Sequence, residues 1–212
     1  MPEKFGFLIF NDLEELDLVG PWEMISLWGK NYNGPDVFTV SQNGGLIKCA
    51  KKLIINSDYS FSSCPPLNYL LVPGGQGTRN EVNNTILIEF IRNQAVSCRN
   101  VLSVCTGSFL LHAAGLLSGH KATTHWLSLD RLRQFEEVTT VEERYIKDGM
   151  IWTSAGISAG IDMTFAFIAD IANDEIAGKI QLHAEYFPEK KRYIDLKLKE
   201  NIPAYMKENA SR

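Results

Sequence analysis

Apolar residues in this chain fall into two alternating kinds of run. Phe5–Phe10 (F-G-F-L-I-F), Asp36–Ser41 (D-V-F-T-V-S), Leu67–Val72 (L-N-Y-L-L-V) and Asn100–Val104 (N-V-L-S-V) are short and rich in β-branched or aromatic residues. That is the pattern of strands buried on both faces. Leu53–Ile55 reads as a further short strand after a turn at Gly44-Gly45. Between the strands, apolar residues recur at helical spacing. Leu87–Ser97 aligns Leu87, Phe90, Ile91 and Ala95, Trp126–Phe135 aligns Trp126, Leu129 and Leu132, and Ser108–Leu117, Ala159–Ile171 and Ala177–Glu185 also read as helices. Gly20-Pro21 predicts the start of a helix over Trp22–Trp28, because proline is tolerated at a first helical position. Lys121–Thr124 and Val138–Arg144 predict strands, and Tyr145–Ile146 with Met150–Thr153 a hairpin turned by Asp148-Gly149.

Strands alternating with helices predict a parallel sheet covered on both sides, with its ligand crevice at the carboxyl ends of the strands. No repeat or linker divides 1–185, so that stretch reads as one domain. Tyr186–Arg212 changes character, with seven Lys/Arg against four Asp/Glu and two prolines, and is expected to be an extension packed on the domain or across a dimer.

Composition narrows the function classes. At 212 residues, 45% hydrophobic and 22% charged, with a formal charge of −4, the chain has the make-up of an ordinary globule and no overall electrostatic footprint for nucleic acid or an anionic membrane. No signal peptide is legible and no apolar run approaches a membrane span, so a cytoplasmic protein is expected. Cys49, Cys64, Cys98 and Cys105 occur singly, without C-x-x-C pairs or zinc-like spacing. Free thiols and no metal are expected.

One cysteine stands apart. Asn100–Val104 passes into the helical pattern at Ser108 with almost no loop, so Cys105 occupies a sharp turn flanked by small residues, Ser103 and Gly107. This is the nucleophile-elbow pattern with cysteine in place of serine. A helix N-terminus favours the thiolate, which predicts a lowered thiol pKa and makes Cys105 the most reactive of the four. The plain alternative is a buried cysteine acting as a small hydrophobe. Asp17, before the predicted helix, has an equally plain reading as a turn or capping residue. Gly74-Gly75, after a strand, read as turn glycines, and G-G-Q-G-T lacks the lysine of a phosphate loop. Ile157 is a candidate pocket-lining residue, His125 follows a strand, and His112 and His183 read as structural.

Taken together, L-D-L-V-G-P (Leu16–Pro21), V-P-G-G (Val72–Gly75), V-C-T-G (Val104–Gly107), A-A-G-L-L-S-G (Ala113–Gly119), A-T-T-H-W (Ala122–Trp126) and T-S-A-G-I-S-A-G-I-D (Thr153–Asp162) resemble the ThiJ/PfpI family of class I glutamine-amidotransferase-like proteins. The branch they resemble holds isocyanide hydratase and the amidase-like domain of AraC-type regulators, and the likeness covers about residues 5–185. It implies a flavodoxin-like three-layer α/β sandwich, a mostly parallel sheet, a cysteine nucleophile elbow and a homodimer. It makes Cys105 the nucleophile and Asp17 the acidic partner that carries its proton. Gly75, with Gly74 beside it, and the amide of Thr106 become donors of an oxyanion-hole-like pocket. His125 pairs with the cysteine in amidotransferase triads, whereas in the hydratase-like branch it supports the site from one layer further out. Thr106 also marks a departure, since the family's peptidases carry histidine directly after the cysteine, and this disfavours a protease.

The resemblance implies an enzyme, without cofactor or metal, that hydrates a small isonitrile to an N-substituted formamide. The alternatives are a small-molecule sensor related to the AraC-type regulators, and a glyoxalase-, deglycase- or oxidative-stress-type protein. About 27 residues follow the resembling region, against roughly 100 for an appended helix-turn-helix unit, so nucleic acid is not expected as a partner.

Overall fold

The computed structural model describes residues 2–188, 193 and 202–208. Its strands are β1 (Lys4–Leu8), β2 (Asp36–Ser41), β3 (Gly45–Lys48), β4 (Ile54–Ser57), β5 (Tyr59–Ser60), β6 (Tyr69–Val72), β7 (Asn100–Val104), β8 (Lys121–Ala122), β9 (Thr139–Thr140), β10 (Tyr145–Asp148) and β11 (Ile151–Ser154). Its α-helices are α1 (Glu15–Asn31), α2 (Thr78–Glu81), α3 (Thr85–Ser97), α4 (Ser108–Ala113), α5 (Leu129–Leu132), α6 (Ala159–Ile171), α7 (Asp174–His183) and α8 (Ala204–Glu208). Seven strands form one sheet in the order β10-β11-β7-β6-β1-β2-β5. All its pairings are parallel except the β10–β11 hairpin. α1, α6 and α7 pack together as one helical layer, and α3 and α4 contribute to the other. This is the mostly parallel sheet, covered on both sides, that the alternation of runs predicts, and the flavodoxin-like α/β sandwich that the resemblance implies.

The continuous apolar runs become the central strands because both faces are covered. Phe5 and Phe7, two residues apart on β1, point to one face, where Phe5 meets Phe167 of α6 and Phe7 meets Trp22 of α1. Tyr69 and Trp152, from β6 and β11, close on the same Phe167 ring. Each large side chain buried this way contributes about 1.5–3 kcal/mol of transfer free energy. Trp28 is buried here too and Trp22 half-buried against the same core.

Several predicted boundaries move. α1 begins at Glu15, not after Gly20, and Pro21 lies inside it. Proline there leaves one interior carbonyl without its amide donor, which the helix tolerates while its apolar residues pack. Asp17 is thereby moved from a pre-helix loop into the first turn of α1. The elbow continues from β7 through a 3-10 turn, Cys105–Gly107, before α4 begins, and α4 ends at Ala113 rather than Leu117. Trp126–Phe135 is a 3-10 turn followed by the single-turn α5, and of Val138–Arg144 only Thr139–Thr140 pairs, with β8. The expected extension 186–212 lies largely outside the described residues. No helix among those described is long and apolar enough to cross a membrane.

Candidate active site

The carboxyl ends of β1, β6, β7 and β11 bring four segments of the chain together. Cys105 leaves β7 with φ +56, a left-handed conformation costly for a residue with a Cβ. The surroundings hold it there. Its carbonyl accepts hydrogen bonds from Thr124 Oγ1 at 2.9 Å and Ser108 Oγ at 3.3 Å, and both side chains are fully buried. Gly107 passes so close to β6 that a Cβ would fall 2.2 Å from the Val72 carbonyl oxygen. The small residue predicted two positions after the cysteine is therefore required by packing.

Asp17 meets this elbow from α1. Its side chain is 0% exposed, its Oδ2 accepts the Gly74 N–H at 3.0 Å, and the carboxyl and the Cys105 thiol lie close enough to shift each other's ionisation. Oδ1 is buried with no hydrogen-bond partner. Burial holds the carboxyl pKa well above the usual range, and Glu14 adds to this, while the Gly74 N–H and Lys51 pull the other way. Its place in the first turn of a helix favours the charge but does not offset complete desolvation.

The thiol departs from its sequence expectation. Burial, then the negative charge of Asp17, push Cys105 upward, outweighing the Thr106 amide and hydroxyl that stabilise its thiolate. Burial raises Cys49 and Cys64 to about 11 and Cys98 to about 12. Ionisation alone therefore does not single out Cys105. What distinguishes it is a carboxylate in contact that can take its proton. Two groups so coupled titrate as a pair, and at neutral pH they keep at least one proton between them.

Gly74 and Gly75 follow β6 as predicted, but both amides are engaged. Gly74 N–H holds Asp17, and Gly75 N–H donates to Thr106 Oγ1 at 3.0 Å. Gly75 has φ +122 and bridges to Leu13, and a Cβ there would lie 2.3 Å from the Glu14 amide nitrogen. Gly75 thus ties the β6 loop to the segment leading into α1, and it is the Thr106 amide that favours the Cys105 thiolate.

His125 is half-buried. Its Nδ1 accepts the Leu127 N–H at 3.3 Å, which puts the ring proton on Nε2, and burial lowers its pKa. It lies across Gly156 from the cysteine. A Cβ at 156 would fall 2.5 Å from His125 Cδ2 and 2.8 Å from Cys105 Sγ. Ile157, the next residue, is half-buried at the same place.

Sequence reasoning missed Gly156, Thr124 and the Glu14–Lys51 ion pair, which acts on Asp17. Thr124 and Gly156 lie within the A-T-T-H-W and T-S-A-G-I-S-A-G-I-D motifs, but only the tertiary structure shows that they adjoin the cysteine. A depression of about 960 Å³ lies at the other end of the sheet, lined by Lys4, Lys30, Asp36 and Asp58, remote from this chemistry. Among the described residues no three His, Cys, Asp or Glu side chains gather as a metal site.

Comparison with known proteins identifies the family. The DJ-1/PfpI family model matches residues 3–170. Over 190 residues the chain is 36% identical to an isonitrile hydratase of Pseudomonas putida, covering 89% of this chain and 80% of that protein. The transcriptional regulator GbdR of Pseudomonas aeruginosa is 27% identical over 183 residues, 84% of this chain, which spans only 49% of the regulator. The crystal structure of a ThiJ/PfpI family protein from Pseudomonas syringae superposes with a TM-score of 0.85 at 29% identity, covering 98% of this chain and 84% of that one. Strand order, elbow and matched sequence lead to one assignment: the chain belongs to the DJ-1/PfpI family.

Proposed function

We propose that the protein is a cysteine-dependent hydratase that adds water to a small isonitrile, R–N≡C, to give an N-substituted formamide. The observation that carries this reading is the fully buried Asp17 carboxyl against the Cys105 thiol. The isonitrile hydratase relative, similar over most of both chains, supports it.

The thiol sulfur attacks the terminal carbon while the Asp17 carboxylate takes the thiol proton and passes it to that carbon, forming a thioimidate, R–N=CH–S–Cys105. Burial favours neutral Asp17 at the moment it holds the proton, and it keeps the base strong enough to accept one. Asp17 then removes a proton from water as oxygen adds to the same carbon, and the nitrogen takes that proton. The carbon–sulfur bond breaks, the hydroxyl proton returns through Asp17 to the sulfur, and R–NH–CHO leaves. No proton is gained or lost over the cycle, and the Thr106 amide steadies negative charge on the sulfur.

The experiment is incubation with p-nitrophenyl isocyanide. Formamide should accumulate far beyond one equivalent. A sensor, the role of the regulator relatives, would instead show a higher melting temperature without consuming the compound. Consumption of methylglyoxal with no isonitrile turnover would replace the reading with aldehyde chemistry.

A further inference from the structure

Behind Thr106 stands a second threonine that the mechanism above does not use. Thr78, at the start of α2, is 1% exposed, so no solvent satisfies its hydroxyl. Its Oγ1 lies 2.8 Å from the Gly75 carbonyl oxygen and 3.1 Å from Thr106 Oγ1. Thr106 Oγ1 lies in turn 3.2 Å from that same carbonyl and accepts the Gly75 N–H at 3.0 Å, and Thr106, the residue after Cys105, is among the groups that favour its thiolate.

Each hydroxyl has one hydrogen and the Gly75 carbonyl has two lone pairs, so the hydrogens can be placed in several ways, of which two bear on the sulfur. In the first, Thr78 donates to Thr106 Oγ1 and Thr106 donates to the Gly75 carbonyl. In the second, Thr78 donates to the Gly75 carbonyl and Thr106 turns its hydrogen to the sulfur, while Gly75 N–H still satisfies Thr106 Oγ1. A neutral thiol is content with the first, whereas a thiolate draws the second, because hydrogen bonds to a charged acceptor are the stronger ones.

We infer that Thr78 is a positioning residue for the nucleophile: by donating to the Gly75 carbonyl it releases the Thr106 hydroxyl to the developing Cys105 thiolate. The Thr78 amide also donates to that carbonyl, at 3.2 Å, so removing the hydroxyl leaves the carbonyl partnered yet a better competitor for the Thr106 hydrogen. The inference rests on Cys105 being the nucleophile, not on the identity of the substrate. The titratable groups around the thiol are Asp17 from α1, with Glu14 and Lys51 acting on it, and His125 across Gly156. Changing Thr78 alters none of them.

The test is the pH dependence of Cys105 alkylation by iodoacetamide in the full chain, with each cysteine resolved by peptide mapping. Thr78→Val should move the Cys105 profile to higher pH and slow its alkylation near neutrality by roughly five- to tenfold, the worth of one hydrogen bond. Thr78→Ser should restore both, with the rates at Cys49, Cys64 and Cys98 unchanged. A wild-type profile in Thr78→Val overturns the inference, as does a parallel change at all four cysteines, which would mean that Thr78 only supports the fold. Failure of wild-type Cys105 to react at any pH, while the other thiols do, would instead remove the nucleophile reading and the inference with it.

Discussion

Complete burial raises the Asp17 carboxyl more than the Gly74 N–H lowers it, so the folded chain binds this proton more tightly than the unfolded chain does. The stability linked to Asp17 is then fully present below the ordinary carboxyl range and is lost as pH rises through the folded pKa. Asp17→Asn keeps the shape and removes the ionisation. It should therefore be more stable than wild type at neutral pH, by about 2–4 °C in Tm for each kcal/mol gained, with the gap closing in acid, and thermal melts across pH check this. The same change should lower hydration kcat by about 10²–10⁴-fold, the usual worth of a positioned acid–base. It should also move Cys105 alkylation to lower pH, because the negative charge beside the sulfur is gone. Gly156→Ala would place a methyl 2.8 Å from Cys105 Sγ and 2.5 Å from His125 Cδ2, and should reduce turnover by up to about 10²-fold, read as kcat/KM. The elbow conformation of Cys105 is legible in its small neighbours and the abrupt strand-to-helix change. Its raised pKa is not, because desolvation and the Asp17 charge come from a segment 88 positions earlier in the chain.

β2, β7 and α6 are read from the sequence with the bounds the structure has, because their apolar runs are of one kind from end to end. α1 is the instructive failure. Its N-cap, Glu14, makes no side-chain cap hydrogen bond, so nothing local marks the true start, and Pro21 offers a false one. Tertiary packing decides instead, as Leu18, Met24, Ile25 and Trp28 are buried together. α7 is the opposite case. Asn173 Oδ1 caps it by accepting the Ile176 N–H at 2.9 Å, and Asp174 and Glu175 lie in its first turn. The apolar pattern alone places its start three residues late, at Ala177. Asn173→Ala should cost about 1 kcal/mol in denaturant unfolding and leave hydration unchanged, since α7 bears no site residue.

The whole molecule joins its four site segments only through the fold: α1 brings Asp17, the loop after β6 brings Gly74, β7 brings Cys105, and the loop after β11 brings Gly156. Leu16 and Val19 stand 41% and 42% exposed on the same helix as Asp17, and we expect a symmetric homodimer. Light scattering should give twice 23.8 kDa at micromolar concentration, and 23.8 kDa throughout would contradict it. The central claim is that the elbow cysteine performs the chemistry. It is tested most directly by comparing formamide production from p-nitrophenyl isocyanide in wild type and Cys105→Ala, both shown to be folded. Multiple turnovers in wild type and none above buffer in the variant are the predicted result. Turnover that survives the loss of the thiol would contradict it.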